Sequence, residues 1–304
     1  MRKIKIGTRA SRLALWQSEF VAAELKKFFP ALDVELIHVH TTGDKILDAP
    51  LAKIGGKGLF TKELELQLAR GEIDLAVHSL KDVPTDLPTG FKIAAITRRA
   101  QPFDAFVSGK FSSLEELPEG SIVGTSSLRR SAQLLKLRPD LRIKNLRGNV
   151  DTRLKKLDAG EFDAIILAAA GLERLGHATR IRQLLPEIIP AAGQGALAIE
   201  VRDGDEKIFE LVRTLNDEET FLATTIEREF LREVGGSCQV PVGVFAQVVG
   251  GRLTVRAIIS SLDGKNFVAE KLEVPLHEID GLGKTLARTL LDDGGRKILD
   301  DLQA

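Results

Sequence analysis

Short apolar segments alternate with amphipathic segments through the first two hundred residues. KIKIGT, VELIHV, DLAVHSL and FKIAAIT have the length and the β-branched content of strands, and a helical pattern runs from Ser11 to about Phe29 between the first two. After Gln101 and Pro102 the alternation begins again with SIVGTSS, RIKNL and FDAIILAAA, separated by two predicted helices. Such alternation is typical of mostly parallel sheets that carry helices on both faces.

The two series of segments share one layout. The stretches KIGTRASRLALWQ (5–17) and IVGTSSLRRSAQL (122–134) both contain a predicted strand, Gly-Thr, a small hydroxyl residue, arginine and a predicted helix, in that order. This similarity predicts two similar α/β lobes. GALAIEVR (195–202) is one more predicted strand, which can return to the first lobe.

From about residue 217 the pattern changes. A long helical stretch ends at Gly235 and Gly236, and three predicted strands follow, joined by Gly-Gly and Asp-Gly turns in an antiparallel meander. A last helix is predicted from about Gly281. The predicted fold is α/β, with two lobes of mostly parallel sheet and a smaller C-terminal α+β domain. Its predicted boundaries are 1–98 with 195–214, then 99–194, then 215–304.

Composition and charge narrow the class of protein. Lys and Arg together number 43 and so do Asp and Glu, which argues against a general polyanion binder and against nucleic acid as partner. The single cysteine, Cys238, cannot form an internal disulfide and fits a reducing compartment. MRKIKIGT lacks the apolar stretch of a signal peptide, and the most apolar run (164–172) is too short to span a bilayer. We expect a cytoplasmic protein.

Positive charge is concentrated between Ser126 and Lys156. This stretch contains ten basic residues and only two acidic ones, Asp140 and Asp151, so its net charge is +8. Such a window is often no more than a solvated helix face. The ten residues are Arg129, Arg130, Lys136, Arg138, Arg142, Lys144, Arg147, Arg153, Lys155 and Lys156.

Two of these cations break a local rule. Arg129 and Arg130 fall in the first turn of a predicted helix, where the macrodipole disfavours cations, and such a break often marks a functional site. The free N–H groups and the hydroxyls of 125–127 suit an anion. Arg9 and Ser11 repeat the arrangement after the first strand, and ligands bind at the carboxyl ends of strands in open parallel sheets. The sequence predicts a ligand rich in carboxylates or phosphates.

VHSLKDVPTDLP (77–88) places Lys81 and Asp82 at the end of a predicted buried strand. Asp82 is either an ordinary turn residue before Val-Pro or a carboxylate among the cations of an anion site. In the second case it suits a cationic intermediate or a donated N–H group. The sequence of this segment leaves both interpretations open.

The connection DKILDAPLAKIGGKGLFTKE (44–63) is long and contains glycine and lysine. It is not a P-loop, because Gly58 stands where that motif requires Ser or Thr. It is either an ordinary surface loop or a lid that carries Lys53 and Lys57. His38 and His40 share one face of a strand without a third ligand nearby, so no metal site is predicted.

Eight sequence motifs occur here in the order in which a known family has them. Through these motifs the chain resembles the porphobilinogen deaminase family over essentially its whole length. The resemblance implies a transferase that joins four porphobilinogen molecules head to tail, releases ammonia from each, and hydrolyses off the linear tetrapyrrole hydroxymethylbilane. The motifs are IGTRASRLALWQ, GGKGLFTKE, DLAVHSLKDVPT, VGTSSLRRSAQL, LRGNVDTRL, AAAGLERLG, AAGQGALAIE and GGSCQVPVG.

The resemblance also implies a fold, a cofactor and site residues. The two lobes are expected to resemble periplasmic binding proteins with an active cleft between them, and the third domain to hold a dipyrromethane cofactor through a thioether to Cys238. The catalytic carboxylate falls on Asp82, and the flexible active-site loop carries Lys53, Lys57 and Phe60. Further cofactor-binding positions are Lys81, Asp82, Ser127, Arg129, Arg130, Arg147 and Gly148. Substrate-binding positions are Arg9, Ser11, Arg147, Arg153, Arg174 and Gln194.

The attachment segment departs from the family in one residue. Many members read Gly-Gly-Cys, whereas here Ser237 stands between Gly236 and Cys238, and we interpret it as a tolerated small residue. The rival hypothesis is a two-lobed solute-binding protein whose arginines hold a small anion without chemistry. It predicts a free thiol at Cys238, which composition alone also favours. The partners expected from the family are porphobilinogen alone, with no nucleic acid, no membrane and a monomeric chain.

Overall fold

The computed structural model describes residues 3–41, 61–235 and 240–302. These residues divide into two compact units. The first contains 3–41, 61–100 and 196–221, and the second contains the described residues of 101–195 and 222–302. Four residues named above lie outside the described part of the chain: Lys53, Lys57, Phe60 and Cys238.

The first unit contains a five-stranded mixed sheet. Its strands are β1 (Ile4–Arg9), β2 (Val34–Val39), β3 (Leu75–Ser79), β4 (Phe91–Ile96) and β10 (Leu197–Arg202). Their order is β2-β1-β3-β10-β4. Strand β1 pairs in parallel with β2 and β3, whereas β10 runs antiparallel between β3 and β4. Four strands therefore run in one direction, and the strand predicted at 195–202 is the one that runs in reverse.

Helices cover both faces of this first sheet. The helices of the unit are α1 (Arg12–Phe28), α2 (Lys62–Ala69) and α6 (Glu206–Val212). Val21 and Leu25 of α1 share a buried cluster with sheet residues such as Ile6. Leu64 and Leu68 of α2 form a second buried cluster with Val39, Ile73 and Ala76. The predicted arrangement of helices around the sheet is confirmed for this lobe.

The second unit contains a sheet of the same layout. Its strands are β5 (Asp104–Val107), β6 (Ile122–Gly124), β7 (Arg142–Lys144), β8 (Ala164–Ala168) and β9 (Gln183–Leu185), in the order β7-β6-β8-β5-β9. Strand β6 pairs in parallel with β7 and β8, and β5 runs antiparallel between β8 and β9. Helices α3 (Leu128–Leu137), α4 (Val150–Asp158) and α5 (Ala169–Arg174) accompany it. The prediction of two similar α/β lobes is confirmed.

The C-terminal part of the second unit is a three-stranded antiparallel meander with helices. Its strands are β11 (Val242–Val249), β12 (Arg252–Ser260) and β13 (Phe267–Pro275), paired in chain order. Its helices are α7 (Glu218–Glu233), of which 222–233 belong to this unit, α8 (Leu282–Leu290) and α9 (Arg296–Asp300). Phe230 of α7 and Leu286 of α8 pack with Leu253 and Val255 of β12 in one buried cluster. Within the described residues, no helix has the length and apolar character needed to cross a bilayer.

Glu227, a fully buried residue of α7, fastens this helix to two other segments of the second unit. Its carboxylate accepts hydrogen bonds from Gly193 N (2.6 Å) and from Ala246 N of β11 (2.7 Å). A buried N–H group that loses its acceptor carries a desolvation cost. The carboxylate therefore fixes the path of 190–195 and the position of β11 against α7.

We expect Glu227→Gln to lower the free energy of unfolding by about 3 kcal/mol, because the amide has one acceptor oxygen and places an NH2 group against a buried N–H donor. The measurement is a denaturant midpoint followed by circular dichroism. Glu233→Gln is the matched control, since Glu233 lies on the same helix and pairs with Arg288 in an exposed ion pair. Equal midpoints for the two variants would contradict the anchoring role of Glu227.

Candidate functional site

In the first unit, candidate side chains follow two neighbouring parallel strands. Arg9 ends β1, and Ser11 caps α1 by accepting a hydrogen bond at its Oγ from Ala14 N (3.3 Å). Gln17 Nε2 donates to Ser79 Oγ (2.8 Å), which fastens α1 to the end of β3. Since β1 and β3 are parallel, their carboxyl ends lie at one edge of the sheet. This is the edge at which the sequence predicts ligand-binding groups.

Lys81 and Asp82 lie at the same edge, in a 3₁₀ turn at Leu80–Asp82 that follows β3. The turn is held in place because the buried Leu80 donates its N–H to Ala196 O (3.0 Å) and Val83 N donates back to Leu80 O (3.1 Å). Lys81 and Asp82 are half-buried. The Asp82 carboxylate makes no hydrogen bond or ion pair with any residue that the structure describes. The turn therefore does not use this carboxylate, and an approaching ligand can.

In the second unit, the start of α3 is built as the sequence predicts. Ser127 is the N-cap, and its Oγ accepts a hydrogen bond from Arg130 N (3.4 Å). Arg129 and Arg130 follow in the first turn and are only 5% and 6% exposed. Two cations buried at a helix N-terminus need a compensating negative charge, because both the macrodipole and the loss of solvent disfavour them.

That charge is Asp104, the first residue of β5, which is fully buried. Arg130 donates to Asp104 Oδ1 from Nε (3.0 Å) and Nη2 (2.7 Å), and Arg129 Nη1 lies 2.8 Å from Asp104 Oδ2. Gln194 Nε2 also donates to Asp104 Oδ1 (2.9 Å). Burial alone raises the pKa of the Asp104 carboxyl, but the two guanidinium groups outweigh it and hold this pKa well below its usual range. The four side chains form one buried group, which we call the Asp104 cluster.

Sequence reasoning did not identify Asp104. One aspartate before an apolar segment, DAFV, has no local mark of function. The available signal was indirect, since two adjacent arginines at a helix start require a carboxylate from elsewhere in the fold. Arg129, Arg130 and Gln194 were predicted as site residues, and the structure brings these three together around it.

The remaining predicted residues of the second unit lie around α4 and after β8. Gly148 has a φ of 114°, and a Cβ there would lie 2.8 Å from Thr152 Cγ2, so the position requires glycine. Arg153 Nε donates to Gly148 O (2.7 Å) and Arg174 Nη2 donates to Gly195 O (2.7 Å). These bonds orient both guanidinium groups.

Arg147 and Arg174 differ in their surroundings from the two arginines beside Asp104. Burial lowers the pKa of Arg174 to about 10 and also lowers the pKa of Arg147. Within the described residues, Arg147 has no hydrogen bond and no ion pair. A partly desolvated cation gains from an incoming anion, because the pair replaces lost hydration. Arg147 is therefore the arginine whose surroundings best suit a ligand carboxylate.

Fold and side chains together define an α/β protein with basic and hydroxyl side chains at the carboxyl ends of its strands. Two family models match it: "Porphobilinogen deaminase, dipyromethane cofactor binding domain" over residues 4–210 and "Porphobilinogen deaminase, C-terminal domain" over residues 221–292. The chain belongs to the porphobilinogen deaminase family. It is therefore an enzyme of the transferase class, and its larger matched part is a dipyrromethane cofactor-binding domain.

Curated relatives match along their whole length. The porphobilinogen deaminase of Chromobacterium violaceum is 53% identical over 301 residues, which cover 98% of this chain and 97% of the relative. That of Thiobacillus denitrificans is 51% identical and covers 100% of both chains. Among solved structures, the methionine-binding protein MetQ is 18% identical with a TM-score of 0.46, over 70% of this chain and 89% of that chain. Immunogenic lipoprotein A of Vibrio vulnificus is 16% identical with a TM-score of 0.46, over 73% and 98%.

Proposed function

We propose that the chain is a hydroxymethylbilane synthase of tetrapyrrole biosynthesis. It condenses four porphobilinogen molecules head to tail, releases ammonia from each, and hydrolyses the product to hydroxymethylbilane. The observation that carries this proposal is the match of two porphobilinogen deaminase domains, in order, together with relatives that align from end to end. The same comparisons disfavour a solute-binding protein without chemistry.

The arginines of the second unit suit the substrate. Each pyrrole ring of porphobilinogen carries an acetate and a propionate, so every condensation adds two carboxylates to the growing chain. A guanidinium group binds a carboxylate with two parallel hydrogen bonds, which a lysine cannot do. We assign carboxylate binding to these arginines and to Arg9, with Ser11, Ser127, Gly148 and Gln194 as neighbouring polar positions. The arginines of the second unit are Arg129, Arg130, Arg147, Arg153 and Arg174.

These arginines and polar side chains also fit a dipyrromethane, because its two pyrrole rings carry acetate and propionate groups as well. When bound, this cofactor supplies the carbon to which the first porphobilinogen is joined. We propose that Cys238 holds it through a thioether, and that Lys81, Ser127 and the arginines near Asp104 bind its carboxylates. A thioether survives the hydrolysis that frees the product. The positions Lys53, Lys57 and Phe60 are proposed to belong to the active-site loop.

We assign the catalytic role to Asp82. The aminomethyl group of porphobilinogen reacts as its ammonium form: ammonia leaves with the electron pair of the C–N bond, which leaves a methylene-pyrrole cation. The carboxylate of Asp82 stabilises this cation and accepts the pyrrole N–H. Condensation then forms a C–C bond and releases a proton, for which Asp82 is the assigned acceptor. The half-buried carboxylate beside a fixed turn, with no described partner, supports this assignment.

The domain organisation and the cellular location of the chain are also part of the proposal. We propose three domains, with boundaries at 1–98 with 195–214, 99–194 and 215–304, as the sequence predicts. We also propose a cytoplasmic monomer that acts on porphobilinogen and uses neither a membrane nor nucleic acid. The equal numbers of acidic and basic residues support the last point.

Incubation of the purified chain with porphobilinogen tests the function. We expect ammonia release in step with porphobilinogen consumption, and a linear product of four pyrrole units by mass spectrometry. Binding of porphobilinogen without consumption would support the solute-binding alternative and contradict the proposal.

A further prediction concerns Arg147. We expect Arg147→Leu to raise KM for porphobilinogen by about tenfold, the effect of one lost charge-assisted ion pair, without lowering the midpoint of unfolding. The fold is spared because the substitution leaves no described carboxylate without its partner. Arg180→Leu is the control, since Arg180 pairs with Asp158 on the surface of the same unit. An unchanged KM in Arg147→Leu would remove this residue from the binding site.

A further inference from the structure

We propose that Glu65, His78 and Glu200 form a buried proton-binding cluster of the first unit: a proton binds to Glu65 when α2 packs on the sheet, and loss of this proton at higher pH loosens the helix. The proposed function assigns no role to these three residues. Their response to pH is therefore independent of that function, and either can fail without the other.

Glu65 lies on the buried face of α2 although it is acidic. It is 7% exposed, and its neighbours on that face, Leu64 and Leu68, belong to a buried apolar cluster. The helix lies directly on β1, because a Cβ added at Gly7 would come within 2.9 Å of Leu64 Cδ2. Within the described residues, Glu65 Oε1 accepts no hydrogen bond. A carboxyl group in such surroundings is more costly in its charged form than in its protonated form.

The cluster contains a second buried carboxyl group, that of Glu200 on β10. Glu200 is fully buried, and its Oε2 lies 2.9 Å from Nε2 of His78 on β3. Its Oε1 accepts no hydrogen bond from any described residue. One imidazole can compensate one carboxylate, so the cluster is neutral only if one carboxyl group holds a proton. Since His78 is in contact with Glu200, we assign this proton to Glu65.

The electrostatic surroundings of Glu65 agree with this assignment. Burial raises the pKa of its carboxyl group, and the negative charges of Glu200 and Glu63 raise this pKa further. The Thr61 hydroxyl and His78 lower the pKa without cancelling the rise. The folded chain therefore holds a proton on Glu65 at a pH at which the unfolded chain releases it.

The other charged groups near α2 do not neutralise Glu65. The helix packs on β1, β3 and β10. Arg202 of β10 donates to a main-chain oxygen in the last turn of α2 (2.8 Å) and pairs with Asp74 and Asp205, so its charge is already compensated. The two cations of β1 form no ion pair with Glu65 within the described residues. The charged side chains that these strands bring to the face of the sheet next to α2 are Lys5, Arg9, His78, Glu200 and Arg202.

Linkage fixes the direction of the pH effect. Because the pKa of Glu65 is higher in the folded chain than in the unfolded chain, its contribution to stability is fully present below the ordinary pKa of 4.5 and is lost as the pH rises through the raised value. Between the two values, opening of α2 releases one proton. The opening constant of the helix therefore rises with pH, by at most about tenfold per pH unit.

Hydrogen exchange of the α2 amides in the full-length chain tests this proposal. We expect the protection factors of residues 65–69 in the wild type to fall by at least about threefold in total as the pH is raised from about 5 to 8. In Glu65→Gln, whose neutral amide replaces the protonated acid, they should stay constant within about twofold. Protection that falls equally in Glu65→Gln and in the wild type would overturn the proposal.

Two further variants identify the group that holds the proton. Glu72→Gln is the matched control, since Glu72 lies just beyond α2 and forms a weak surface pair with Arg70 (3.9 Å), and its protection should fall with pH as in the wild type. His78→Gln tests the imidazole. Protection that depends on pH in Glu65→Gln but no longer in His78→Gln would place the proton on His78 and contradict the assignment to Glu65.

Denaturant midpoints give an independent reading. The midpoint of Glu65→Gln relative to the wild type should increase as the pH rises, because the variant lacks the carboxyl group whose ionisation opposes folding. A difference that is the same at every pH contradicts the proposal. If Glu65→Gln does not fold, Glu65→Met replaces it, since it removes the charge and keeps the side-chain length, and the same increase is expected. None of these measurements uses porphobilinogen, so an inactive chain leaves the test intact.

Discussion

Asp82→Asn is expected to lower the rate of ammonia release by about a thousandfold or more while the protein stays folded. Asparagine has the shape of aspartate but neither its negative charge nor its ability to take a proton. General acid–base catalysis contributes about two to four orders of magnitude, and loss of electrostatic stabilisation adds to this. Since the Asp82 carboxylate has no partner among the described residues, its replacement should break no bond of the turn at Leu80–Asp82.

Three measurements are needed for this variant. Single-turnover ammonia release reports the chemical step, a denaturant midpoint reports the fold, and an intact-protein mass reports the attached cofactor. We expect only the first to change, because the covalent attachment of the cofactor is assigned to Cys238. Asp86→Asn is the matched control, since Asp86 is an exposed aspartate of the same segment, and it should keep a rate within about twofold of wild type. A rate near wild type in Asp82→Asn would exclude Asp82 from the mechanism.

The lobes were predictable because their signals are local. In the first sheet β1, β3 and β10 are short strands that end at a bend, a turn or a helix start, and the capping residues Ser11 and Ser127 stand directly before α1 and α3. The similarity of 5–17 to 122–134 predicts two lobes of one layout, and in both five-stranded sheets the antiparallel strand is the fourth in spatial order. The direction of β5, which runs antiparallel between β8 and β9, depends on pairings far along the chain and has no local signal.

The sequence predicts only those residues of the candidate site that have a local signal. Arg129 and Arg130 stand out in the sequence because they break a helix rule that acts within one turn. Asp104, which compensates them, lies 26 residues before Arg130 and carries no local signal. Charge pairing across a fold is decided by packing, so the sequence shows the unbalanced cations but not their partner. The sequence likewise cannot show that Arg147 has no ion pair with any described acidic residue, because this depends on the folded structure.

If Cys238 carries the cofactor, the purified wild-type chain should have a mass that exceeds the mass calculated from its sequence by two pyrrole units. The excess should map to the peptide that contains Cys238 and should react with Ehrlich's reagent. The chain has only one cysteine, so alkylation under denaturing conditions gives an independent reading. A thioether-bound sulfur takes up no alkyl group, whereas a free thiol takes up one.

Cys238→Ser should carry no extra mass and show no detectable turnover, because a serine hydroxyl at neutral pH is a far weaker nucleophile than a cysteine thiolate and does not form the bond. Ser237→Ala is the matched control. It removes the neighbouring hydroxyl, and it should retain the extra mass and the activity if attachment is to sulfur and the residue is a tolerated replacement. Active enzyme with an alkylatable Cys238 would contradict the thioether, and extra mass that persists in Cys238→Ser would move the attachment to another residue.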